Sequence, residues 1–255
     1  NNQDGGAPGG NIRVGFLYNP QRVSLPAAPG GAGDSVTAVT YGATGLTYNP
    51  GRIDPANVAF QDSRKSLAAQ FVFEGQSVIV IANHFNSKGG DQALYGAAQP
   101  PIRSSEIQRA RQATVLNNFV KDTLAQNSNA NIVLVGDFND FQFSNTFKIL
   151  KGNQLTNLVD TLPVNERYSY VYEGNSQTLD HVLMTPQLAQ RAQLDIVHIN
   201  ADFMEEDGRV SDHDPLLTRI DFTPKSDSKD KDRGSSGTVT PGTNTDTGTE
   251  PNGGS

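Results

Sequence analysis

The sequence predicts an α+β fold, a layered and strand-rich domain with few helices between its strands. Three observations carry this. Ile132-Val133-Leu134-Val135 is an unbroken apolar run with three β-branched residues, the pattern of a strand buried on both faces. Leu67–Phe73 and Ser77–Ala82 flank Glu74-Gly75-Gln76 and read as a hairpin. Only two stretches have helical character, one beginning near Ser104 or Ser105 and a short one after Ser144.

In chain order, residues 1–11 read as a loop. Ile12–Tyr18 reads as a strand ended by Asn19-Pro20, and residues 24–51 as a long Gly- and Pro-rich connection. The hairpin follows, then a polar loop from Asn83 to Pro101. The longer helix places Ile107, Ala110, Val115, Leu116, Phe119, Val120 and Leu124 on its apolar stripe. After the 132–135 strand, Ser144 caps a helix through Leu150. Leu179–Met184, Leu194–Ile199 and Leu216–Phe222 are the remaining strands. From about Thr223 to Ser255 almost no apolar residue occurs, too few to offset ordering entropy, so a disordered tail is expected after a domain over 1–222.

Composition narrows the chemistry. The 255 residues contain no cysteine, which removes disulfides and thiolate catalysis. No apolar run is long enough to span a bilayer. The net charge of −7 gives no long-range attraction for a polyanion, so a nucleic-acid substrate would need a divalent cation and local Arg and Lys.

The buried strand ends in Gly136-Asp137-Phe138-Asn139-Asp140. On extended backbone Asp137 and Asn139 point the same way, a pair able to hold water, metal or phosphate; an ordinary Asx turn explains the same residues. Its company is Asn83-His84-Phe85-Asn86 upstream and Leu179-Asp180-His181 and Ser211-Asp212-His213-Asp214-Pro215 downstream. Asp180 alternates with Val182 and Met184, a costly place for a carboxylate without a partner, and a nearby histidine would serve. Alternation turns His181 to the opposite face, as a structural residue, and His198 reads the same way within its strand. Glu205-Glu206-Asp207 reads as a solvated loop, with a second cation site as the weaker alternative, and Asp54, Asp62 and Asp91 show no evident partner. The oxygen-rich donors suit Mg²⁺ or Ca²⁺ better than Zn²⁺.

These motifs, with Ser63-Arg64 and Gly15-Phe16-Leu17-Tyr18-Asn19-Pro20, occur in the order found in the endonuclease/exonuclease/phosphatase superfamily, which includes pancreatic deoxyribonuclease. The closest likeness is to its bacterial extracellular nucleases. The resemblance implies a two-layer β-sandwich flanked by helices, with the site at strand ends. It implies His84 as general acid, His213 as base oriented by Asp180, and Asp137 and Asn139 positioning nucleophile and phosphate. Asp212 is the implied metal ligand, for Mg²⁺ with Mn²⁺ or Ca²⁺ as substitutes. Arg64 is the implied phosphate contact. Asn86 and Lys88 read equally well as phosphate contacts or as ordinary solvated loop residues, and the 86–103 loop, expected beside the site, is the candidate for substrate selection.

The resemblance also places an Asn, a metal-binding Glu and the carboxyl partner of His84 upstream of this sequence. The chain is therefore expected to be the C-terminal part of the domain, incomplete without an N-terminal part. The expected activity is metal-dependent hydrolysis of DNA, and of RNA as a second substrate, in an extracellular or cell-surface bacterial setting. Rival readings are a sphingomyelin- or phosphomonoester-type phosphohydrolase and a non-catalytic nucleic-acid-binding surface module. Two histidines together with three carboxylates favour an enzyme, since a binding module has no use for that set.

Overall fold

The computed structural model describes residues 12–222 except residue 94. The loop expected over 1–11 and the tail expected over 223–255 lie outside the described residues. A mixed six-stranded sheet forms the centre. Its strands in chain order are β3 (Gly51–Arg52), β4 (Leu67–Phe73), β5 (Gln76–His84), β6 (Asn131–Asp137), β7 (Thr156–Asn157) and β10 (Asp180–Met184). They are preceded by a small ribbon, β1 (Tyr41–Gly42) with β2 (Gly45–Leu46). Between β7 and β10 lies a second ribbon, β8 (Tyr170–Tyr172) with β9 (Asn175–Gln177). A third pair, β11 (Ala192–Ile196) with β12 (Leu216–Ile220), closes the chain order. The helices are α1 (Ser104–Gln126), α2 (Asn145–Lys151) and α3 (Pro186–Ala189). Across the sheet the order is β3-β4-β5-β6-β10-β7, with β5 and β6 parallel and the other neighbours antiparallel.

Strand periodicity assigns the layers. Ile79, Ile81, Ile132, Leu134 and Leu183 face α1 and α2, in a core completed by Leu116, Val120, Phe147 and Leu150. Val78, Val133, Val182 and Met184 face the other way, onto Leu194 and the β12 residues Leu216 and Ile220. The molecule is thus helices, central sheet and second sheet, the expected α+β sandwich. The β4–β5 hairpin forms as expected. Glu74 and Gly75 both take positive φ (49° and 74°), the requirement of a type I′ turn.

Several expectations need correction. Ile12–Tyr18 is not a strand. Among the described residues it has no ladder partner; Phe16 and Tyr18 instead set their rings edge-on against Phe71 of β4, and Leu17 is exposed. Strand propensity reports fit to a pleated surface, and this segment has no pleated neighbour. The 24–51 connection is not structureless, because it carries the β1–β2 ribbon and buries Val39 and Leu46 in the core.

The buried face of α1 also differs from the apolar stripe. Ile107 is exposed, while Ser105, Arg109, Gln112 and Asn117 are buried. Each of these polar residues is satisfied: Gln112 donates to Ser63 Oγ (2.8 Å), and Asn117 to the Leu150 carbonyl (3.1 Å). No serine caps α1. Asp91, which showed no partner in sequence, accepts from the Ser105 N–H at 2.9 Å and from its hydroxyl. Ser144 does cap α2, accepting from the Phe147 N–H at 3.3 Å. The strand expected over 194–199 ends at Ile196, which leaves His198 in a loop.

Candidate active site

The register lines three side chains across the edge of the sheet. His84 ends β5 beside Asp137, the last residue of β6, and Asp137 lies opposite Asp180, the first residue of β10. All three share the face turned toward the second sheet, because they continue the Val80–Val133 and Val182–Val135 rows. His213 enters from the segment leading into β12 and completes the row. Its Nδ1 lies 2.6 Å from Asp180 Oδ2.

Phe138 fixes the turn that presents Asp137. Its ring is fully buried between Phe85 (4.9 Å) and Phe147 (5.4 Å), so its neighbours Asp137 and Asn139 are held with their polar groups toward the site. Gly136 stands at φ 124°, and a Cβ there would run into the Asn83 carbonyl, so no other residue fits. Asp137 and Asn139 form the Asx turn. Asp137 accepts from the Asn139 N–H (2.7 Å) and from Asn139 Nδ2 (2.9 Å), with Asn139 at φ 51°.

Asp180 has two partners. The Ser169 hydroxyl donates at 2.7 Å to the same Oδ2 that His213 contacts. Tyr170 packs its ring 4.8 Å from the His213 ring and bridges its backbone. Asp214, next in sequence, is buried. It accepts three backbone N–H groups, from Ile199, Asn200 and Ala201, and contacts His198 Nδ1 at 2.9 Å. This clamp fixes the backbone that carries His213, and Asn200 Nδ2 also donates to the His213 carbonyl. His198 is therefore structural, stacked on Tyr168 at 4.1 Å. His181 is structural too: fully buried on the helix-facing side, it meets Asn157 Nδ2 (3.1 Å) and the Asp140 carbonyl (3.0 Å).

The environment sets the two site histidines apart. Burial, then the charges of Arg64 and His213, push His84 down to about 4, so it is neutral at pH 7. Its Nε2 faces Asp137 Oδ2 at 3.4 Å, a carboxylate within the described residues where the resemblance expects one from upstream. For His213 burial acts downward, but the Asp180 hydrogen bond and charge outweigh it and raise the group to about 8. Burial, with Asp180 adding to it, raises Asp137 to about 6. The row therefore holds one protonated and one neutral imidazole at neutral pH.

The His213 shift predicts a pH signature in stability. A folded value of about 8 against 6.5 means that the His213–Asp180 pair contributes about 2 kcal/mol below pH 6.5, lost as pH rises through 8. The shift of Asp137 acts between pH 4 and 6 and does not overlap this window. Urea unfolding in the presence of chelator at pH 6 and pH 9 should show the stability gap between wild type and His213→Ala closing by about that amount. A gap that stays constant or widens contradicts the pairing.

The expected phosphate contacts surround the row. Arg64 donates from Nη2 to the Phe85 carbonyl (2.8 Å), and its Nε is buried with no hydrogen-bond partner. Burial lowers its pKa, with Asp137 nearby opposing. Lys88 donates to the Asn139 carbonyl at 2.7 Å and lies 4.5 Å over the Phe141 ring. Burial, then Arg109, brings Lys88 down to about 8. Asn86 is held through its backbone, donating to Gln112 Oε1 (3.1 Å) and accepting from Arg109 (3.2 Å). A cleft of about 420 Å³ opens here, with Lys88, Asn139, Tyr170, Tyr172 and His213 in its walls. A second cavity of the same size, at the other end of the sheet between α1 and α3, contains none of these residues.

The metal expectation is met only in part. Asp212 is exposed next to His213, but among the described residues no three His, Asp or Glu side chains converge as a ligand set. Both oxygens of Asp137 already accept from Asn139. Glu74 is remote from the role of ligand, in its hairpin turn.

Sequence reasoning missed the support beneath the site. Arg109 and Asp140 form a buried ion pair, Nε to Oδ2 at 3.0 Å. Thr146 donates to the same oxygen (2.7 Å), and Ser105 Oγ accepts from Arg109 Nη1 (2.8 Å). The available signal was Asp140 itself, a further acid directly behind Asn139.

Among solved structures, the fold is similar to truncated TDP2 from Caenorhabditis elegans, at 15% identity and a TM-score of 0.47, over 62% of each chain. It is also similar to a 3′-5′ exonuclease, NExo, from Neisseria meningitidis, at 18% identity and a TM-score of 0.46, over 65% of this chain and 68% of that one. The human Nocturnin catalytic domain matches at 13% identity and a TM-score of 0.42, over 62% and 53%. This chain thus spans less than two thirds of the length of the first of these structures. No curated protein matches the sequence. The sequence pattern of the Endonuclease/Exonuclease/phosphatase family matches residues 48–218, from the β2–β3 connection into β12, and the chain belongs to that family.

Proposed function

We propose that the chain carries the catalytic face of a nuclease that hydrolyses phosphodiester bonds of DNA, and of RNA as a second substrate. The observation that carries this reading is the row His84–Asp137–Asp180–His213, which combines a neutral and a protonated imidazole at a strand end. In-line attack on a phosphodiester needs a proton acceptor on one side and a donor on the other. A base must be neutral and an acid protonated, so the resting charges favour His84 as acceptor and His213 as donor. The resemblance implies the reverse order.

Asp180 holds His213 in one orientation and stabilises its charge. Asn139 lines the cleft and donates its amide to the Asp137 carboxylate, and Arg64 supplies a cation near Asp137. Support for an enzyme over a binding module lies in that half-buried, hydrogen-bonded carboxylate–histidine pair, which serves proton transfer and adds nothing to simple charge attraction.

The reading includes a divalent cation, Mg²⁺ with Mn²⁺ or Ca²⁺ as substitutes, for which Asp212 is a candidate ligand; such an ion would neutralise charge on the non-bridging phosphate oxygens. It also includes an extracellular or cell-surface setting, supported only by the resemblance of the motifs. The test is hydrolysis of plasmid, single-stranded DNA and RNA with Mg²⁺ or Mn²⁺, repeated after exhaustive chelation. Cleavage that chelation abolishes is expected. Undiminished cleavage in chelator would remove the cation from the reading. Hydrolysis of sphingomyelin or a phosphomonoester in preference to nucleic acid would favour the rival substrate class.

A further inference from the structure

We propose that two exposed aromatic pairs beside the site are stacking platforms for unpaired bases, which makes single-stranded nucleic acid the preferred substrate over duplex. The inference rests on the reading of the site as a phosphodiester centre. The first pair is Tyr170 and Tyr172, which share one face of β8 with rings nearly parallel (8°, 6.4 Å). The second is Phe141 and Phe143, in the loop between β6 and α2, stacked at 16° and 5.3 Å. Tyr172 is 54% exposed and Phe143 is 79% exposed, so each pair presents an open ring to solvent.

The two pairs belong to one surface. Tyr170 and Tyr172 line the cleft that contains His213, and Phe141 and Phe143 line the neighbouring one; Gln177 borders both. Lys88 joins them, since it lines the first cleft and sits over the ring of Phe141 in the second. The band begins at the reacting centre, where the Tyr170 ring lies 4.8 Å from the His213 ring.

Exposed aromatic rings that are parallel, flanked by a cation and adjacent to a catalytic row match the chemistry of a nucleic-acid strand with free bases. Every base has a π-face, so stacking binds without regard to sequence, and a cation between platforms meets the phosphate. The chain carries a net charge of −7, so it gains nothing at long range from the charge density of a duplex. Short-range stacking supplies the attraction instead. In a duplex the π-faces are already occupied by neighbouring bases, so the platforms discriminate against it.

The experiment measures binding without turnover, in chelator, of the full chain to a single-stranded 12-mer, an abasic strand of equal length and the corresponding duplex. The single strand is expected to bind about tenfold or more tightly than either of the others. Tyr172→Ala and Phe143→Ala should each weaken binding of the normal strand about tenfold and leave the abasic strand little changed, and Tyr172→Phe should restore it. Both positions are exposed, and an unchanged Tm checks the fold.

Equal binding of normal and abasic strands, or alanine variants that bind like wild type, would overturn the proposal. So would binding to phosphatidylcholine–sphingomyelin vesicles that the same variants lose with no dependence on bases, which would assign the rings to a lipid surface. Because the assay needs no hydrolysis, base-dependent binding by a chain that cleaves nothing would fail the nuclease reading while sustaining the platforms.

Discussion

Replacing His213 with alanine is expected to lower kcat on DNA by about 100-fold or more, the usual worth of a positioned acid or base. Asp180→Asn should follow closely. Asp180 Oδ2 contacts His213 Nδ1 at 2.6 Å, and its charge raises the ring to about 8; the amide retains the shape and loses the charge. His84→Ala should cost as much, because His84 is the neutral partner in the same row. His181→Ala and His198→Ala should act on stability instead. His181 is sealed on the opposite face of the sheet against Phe147, and His198 braces Asp214 from outside the cleft. Steady-state kinetics beside urea unfolding separates the two classes. An inactive His198→Ala beside an active His213→Ala would contradict the assignment.

The largest stability effect is expected at Arg109. Its guanidinium is 3% exposed and paired with Asp140, whose same oxygen also accepts from Thr146. Removing one partner leaves the other charge buried without compensation, a loss of about 3–5 kcal/mol. Arg109→Ala should therefore lower the urea midpoint strongly. Replacing both partners with apolar residues should cost less than the sum of the single changes, because no orphan charge remains. The effect reaches the site through two contacts: Arg109 holds the Asn86 carbonyl next to His84, and Asp140 follows Asn139 directly. Activity per folded molecule should fall as well. A loss under about 1 kcal/mol in Arg109→Ala would show that water already reaches the pair.

What was legible in the sequence was local and periodic. Period-two alternation separated Asp180 from His181 correctly, and the two side chains do face opposite layers. The Gly136–Asp140 motif announced its turn because the run before it could only be a buried strand. What was not legible depended on partners far away in the chain. Arg109 in a helix reads as a solvated charge; only the packing of α1 over Asp140 shows that it is the pillar of the turn. Asp214 and His198 lie 16 residues apart, and neither segment announces that it wraps the other. Ile12–Tyr18 carried strand composition, but a strand is defined by its neighbours, and its rings pack on Phe71 without a ladder. The aromatic pairs escaped notice because period-two tyrosines and phenylalanines ordinarily signal core.

In the proposed reaction His84 and His213 act as the two proton carriers of one phosphodiester-cleaving row. Its most direct test compares each alanine variant on DNA and on a p-nitrophenyl phosphodiester, whose leaving group needs no proton. The variant lacking the acid should lose about 100-fold on DNA and far less on the nitrophenyl ester, while the variant lacking the base should lose similarly on both. The resting charges predict His213→Ala as the first and His84→Ala as the second. The opposite pattern would restore the order implied by the resemblance and keep the row. Losses that do not depend on the leaving group in either variant, or no loss in either, would show that the two histidines are not the proton carriers.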